Sequence, residues 1–76
     1  MHEHLERALR HFSEDLTSLA LLIAQGQGPI PMKRRGHGLR LGSLTRVGSE
    51  LILTADGTRT AYFTPFHVVN DGWVAD

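Results

Sequence analysis

The chain has 76 residues, eight basic and eight acidic side chains, and no cysteine. That excludes a disulfide framework and a thiolate metal site. It also limits the chain to one small domain, which buries roughly 60% of the surface its unfolded form exposes. Apolar residues make up 41% and charged residues 21%, an ordinary globular balance that argues against wholesale disorder.

The longest apolar run, residues 19–24, is far shorter than the ~20 residues that cross a membrane. The opening Met-His-Glu-His-Leu-Glu-Arg lacks the basic start and apolar stretch of a signal peptide. A cytoplasmic protein without a membrane partner is expected.

Residues 3–25 are predicted as a helix. Leu5, Ala8, Leu9, Phe12, Leu16, Leu19, Ala20 and Ile23 recur at the three-and-four spacing of one face. Ser13-Glu14-Asp15 could instead cap a second helix. The end of the helix, Leu19-Ala20-Leu21-Leu22-Ile23-Ala24, is apolar all round. Such a segment is expected to be covered on every side. A Pro-rich loop, a partner or a second copy would supply the cover. A homodimer through Leu19 to Ile23 is therefore compatible with the pattern, and Leu21 and Leu22 are candidate partner-binding residues.

Residues 26–37 read as a Gly/Pro/basic linker, because the mixture of Gly26, Gly28, Pro29, Pro31 and Gly36 disfavours any regular element. Residues 38–76 read as a β-meander. Leu39 and Leu41 alternate with Arg40, and Gly42 suits a bulge or strong bend. A strand is expected over 50–55, then a hairpin turn at Asp56-Gly57, then a strand over 58–64 that Pro65 interrupts. A short strand over 66–69 follows. After the Asn70-Asp71-Gly72 turn, Trp73-Val74-Ala75 forms a last strand or a packed tail. The fold class is therefore α+β: one N-terminal helix on a small antiparallel meander of four to five strands, with a curved small barrel of the SH3 or Sm type as a variant.

The order of a helix, then Gly38-Leu39-Arg40-Leu41-Gly42-Ser43-Leu44, a turn, Leu51-Ile52-Leu53 and a final Val68-Val69 resembles that of Sm-like RNA-binding barrels over about residues 38–70. The resemblance implies a closed barrel and an RNA partner. The chain departs from it in two places. Pro29 and Pro31 stand where the first strand should begin, and Thr64-Pro65-Phe66-His67 replaces the Tyr-Lys-His type of motif of the bacterial members.

Charge is polarised. It sums to −2 over residues 1–28, +5 over 29–49 and −3 over 50–76. The positive share centres on Pro31-Met32-Lys33-Arg34-Arg35-Gly36-His37-Gly38-Leu39-Arg40. Lys33, Arg34, Arg35, His37 and Arg40 are the other candidate partner-binding residues. Arginine forms bidentate pairs with protein carboxylates as readily as it contacts phosphate. The segment carries no aromatic side chain for base stacking. Flanking acids make pairing within the chain a third possibility.

No catalytic set stands out, and no enzyme activity, cofactor or metal is expected. His2 and His4 lie two apart, and His4 and His11 lie two helical turns apart, too far to share one ion. His11 with Glu14 and Asp15 reads more simply as a solvated polar face. The expected function is that of a non-catalytic regulatory protein that binds and modulates a macromolecule, as an inhibitor or accessory subunit of phage or plasmid type does. The alternative is a small RNA- or DNA-binding module that uses the basic segment.

Overall fold

The computed structural model describes residues 2–26, 28–34 and 38–76, with side chains from Arg10 onward. A helix, α1 (His2–Ala24), leads into strands β1 (Ile30–Arg34), β2 (Arg40–Val47), β3 (Glu50–Ala55) and β4 (Thr58–Tyr62). A short helix, α2 (Pro65–Asn70), and a final strand, β5 (Trp73–Ala75), complete the chain. The strands form one antiparallel sheet in the order β4-β3-β2-β1-β5. The α+β class expected from the sequence is correct. The barrel variant is not, because β4 and β5 remain the two unpaired edges of an open sheet.

The helix is continuous through Ser13, with the Thr17 hydroxyl donating back to the Ser13 carbonyl at 2.8 Å. It stops where Gly26 takes a left-handed φ of 71° and donates to the Ile23 carbonyl. Its core face is Phe12, Leu16, Leu19, Leu22 and Ile23, with Leu19 fully buried. Burial on every side is not observed. Ala20 and Ala24 are exposed, and Leu21 is 59% exposed. The sheet and α2 cover one side of the helix end, and nothing among the described residues covers the other.

The expected linker contains a strand. Ile30, Met32 and Arg34 of β1 face the core side, and Ile30 and Met32 are buried. Pro31 is tolerated because a strand residue directs its N and its C=O toward the same neighbour. The Pro31 carbonyl accepts from the Asp76 amide at 2.9 Å, so its missing N–H faces the end of β5. No bond to β2 is lost, and the Ile30↔Leu44 to Arg34↔Arg40 register runs unbroken.

Residues 66–69 are also helical rather than extended. The Thr64 side chain accepts from the His67 amide, and Pro65 occupies the first turn of α2. Val68 and Val69 are buried. The Asp56-Gly57 turn forms as expected, with φ of 51° and 75° at the two positions.

The core joins Leu19, Ile30, Met32, Leu44, Leu51, Leu53, Ala55, Val68, Val69 and Trp73. No polar side chain among the described residues is buried. Among the described residues, no helix is long and apolar enough to cross a membrane.

Candidate functional site

The basic segment lies at one end of the β1–β2 pair, where Arg34 and Arg40 are direct cross-strand partners. Like charges at such positions repel. Here each guanidinium turns to a different acid. Arg40 donates from Nε and a terminal nitrogen to one carboxylate oxygen of Asp56, at 3.1 and 2.7 Å, which ties β2 to the tip of the β3–β4 hairpin. Arg34 donates from Nε to the Asp71 carbonyl at 3.0 Å, and its terminal nitrogen lies 3.6 Å from the Asp71 carboxylate. Arg34 also sits 6.0 Å from the centre of the Trp73 ring. Lys33 Nζ is 3.9 Å from Asp76. Arg35 and His37 lie outside the described residues, as do the side chains of His2 and His4.

The same cluster includes the only tyrosine of the chain. The Tyr62 hydroxyl, on β4, donates to the Asp71 carboxylate in the turn before β5. Asp71 thus links both open edges of the sheet and, through Arg34, β1. Burial, then the Asp71 carboxylate, pushes the phenol up from its usual 10 to about 12, and Arg34 opposes the shift. The folded phenol keeps its proton where the unfolded one has lost it. Stability from this group is therefore complete below pH 10 and lost as pH rises through about 12. The ultraviolet absorbance of the single tyrosine should titrate well above 10 in native protein and near 10 in denaturant. Tyr62→Phe should remove this part of the alkaline instability. A native titration near 10 would show that the Tyr62–Asp71 bond does not form.

The apolar part of the site was not legible as such. Leu39 is 70% exposed and Leu41 58% exposed, on either side of Arg40. The alternation is real, but its apolar members lie outside. Leu44 is buried, so Gly42 and Arg40 share its face, and Leu41 takes the other beside its cross-strand partner Lys33. The parity of Leu44 against Leu39 and Leu41 is the signal that one strand cannot bury both sets. Gly42 makes no bulge against β1, since that ladder keeps constant register through it, and the β2–β3 ladder begins one residue later at Ser43.

The helix candidates separate. Leu22 is half-buried against the core, whereas Leu21 points outward. Leu19 is wholly within the core of a single chain, so a homodimer through residues 19–23 would have only Leu21 and the flanking alanines to offer. His11 and Glu14 are exposed on α1, and among the described residues no ion pair joins them or Asp15. Among the described residues, no three His, Asp or Glu side chains are grouped as metal ligands.

The fold and the site define a small α+β domain with cations tied to its own acids and leucines beside them. No protein-family model matches the chain, and no curated protein or solved structure matches it.

Proposed function

We propose that this chain is a non-catalytic interaction domain that binds a protein partner at the Lys33–Arg40 end of β1 and β2. Leu39 and Leu41 supply apolar contact area. Lys33, on the face of Leu41, and Arg34 and Arg40, on the opposite face at the same end of the strands, orient the partner by exchanging their own carboxylates for its carboxylates.

The supporting observation is that two exposed leucines share one end of the β1–β2 pair with three cations whose acids are themselves on the surface. Exposed ion pairs are worth only ~0–1 kcal/mol, so such an exchange costs little. Apolar anchors with a charged rim are the usual anatomy of a protein interface. Nucleic acid is the weaker reading, because the net charge is zero and each of the three cations already faces a carboxylate.

Leu39→Asp combined with Leu41→Asp should weaken partner binding at least tenfold while leaving the unfolding midpoint nearly unchanged, since neither side chain is buried. Tight binding to oligonucleotides with a steep salt slope, unaffected by the leucine substitutions, would instead select the nucleic-acid reading.

A further inference from the structure

One cavity of the molecule is separate from this site. It measures about 520 Å³ and opens between the C-terminal end of α1 and the β2–β3 turn. Small-molecule pockets commonly fall within ~300–1,000 Å³. Its apolar floor is Ile23, Ile30, Leu44 and Leu51. Gly26, Gly28 and Gly48 contribute to its wall.

One cation stands at the rim. Arg46 is the cross-strand partner of buried Leu51 and lies on the face of β2 that carries Leu44. Its Nε donates to the Gly48 carbonyl at 3.2 Å. Unlike Lys33, Arg34 and Arg40, it has no carboxylate within ion-pair distance among the described residues. Glu50 sits opposite Val47, on the other face of the β2–β3 pair.

We infer that this cavity is a binding site for a small amphipathic carboxylate, with its tail on the isoleucine–leucine floor and its head on Arg46. The polarity of the walls sets the orientation. The carbonyl end of α1 repels an anion and carries no basic residue in its last turn. The head group is therefore confined to the β2–β3 side, where a guanidinium whose terminal nitrogens meet no partner among the described residues can take both carboxylate oxygens. The inference does not depend on the partner surface at Leu39 and Leu41.

The test is a titration of the isotope-labelled chain with octanoate, octanol and octylammonium, followed by amide chemical shifts. Octanoate should give saturable shifts centred on Gly26, Gly28, Ile30, Thr45 and Gly48, and should bind more tightly than the other two probes. Arg46→Met, which keeps an apolar stem, should reduce octanoate affinity about three- to tenfold and leave octanol unchanged. Arg59→Met, on β4 away from the cavity, should change neither.

Four results would overturn the proposal. The first is an absence of saturable shifts. The second is shifts centred on Leu39 and Leu41. The third is an octanoate affinity insensitive to Arg46→Met. Shifts at the cavity amides that grow with protein concentration alone would also overturn it, by showing that a second copy fills the space.

Discussion

Leu19→Ala should lower the unfolding free energy by about 2–5 kcal/mol, the range for removing a large aliphatic side chain from a packed core. A domain of this length has only about 4–11 kcal/mol of stability in total. The variant should therefore be partly unfolded under conditions where the parent chain is folded. Among the described side chains of α1, Leu19 is the one that is fully buried, and it joins the helix to the sheet and to α2. Leu21→Ala is the matched control, with the same deletion on the same helix at an exposed position. It should change stability by less than about 0.5 kcal/mol. Urea unfolding followed by helical circular dichroism reads both. Equal losses at the two positions would mean that α1 does not dock on the face described above.

The second large effect is expected at Gly42. A Cβ there would lie 2.9 Å from the Thr54 carbonyl oxygen and 3.2 Å from both the Ala55 Cβ and the Trp73 ring. Two of these neighbours are backbone or short side chain, and the third is a buried indole. None can swing aside. Gly42→Val should therefore cost about 3 kcal/mol or more. Strand propensity alone points the other way, since valine favours an extended chain over glycine by up to about 1 kcal/mol. The sign of the change in urea midpoint decides between them. A stabilised variant would show that the sheet is more open at this point, with Trp73 elsewhere.

Local chemistry explains which elements were legible in the sequence. The spacing from Phe12 to Ile23 and the stop at Gly26 define α1 without reference to anything distant. The Asp56-Gly57 pair defines the β3–β4 hairpin in the same way. The first strand was hidden by Pro31, whose cost depends on which neighbour its nitrogen faces, and that neighbour is β5, at the far end of the chain. The second helix was hidden because Phe66 to Val69 is too short to show a period. Thr64 and Pro65, a cap and a first-turn proline, were the better local evidence.

The candidate site was half legible. A cluster of positive charge can be read directly, but its partners cannot. Asp71 lies 37 residues beyond Arg34, and Asp56 lies 16 beyond Arg40. Only the fold brings them together. The leucines beside them were visible as an alternating pair, yet their side of the strand was set by Leu44 and Gly42 packing against Trp73 and Ala55.

The pairing also bears on how a partner would be recognised. Three acids face the cations while remaining exposed themselves. A partner carboxylate need only replace a weak surface contact. Selectivity would then rest on the leucines, since charge exchange alone is nearly neutral.

Site-directed photo-crosslinking in the native host tests this most directly. A photo-reactive residue at Leu39 is compared with one at Ser18, which is exposed on α1. The account predicts one nuclease-resistant protein adduct from position 39 and none from position 18. Excess unmodified chain should compete it away, and the Leu39→Asp/Leu41→Asp chain should not. Crosslinks to nucleic acid from position 39, or an equal adduct from Ser18, would contradict it.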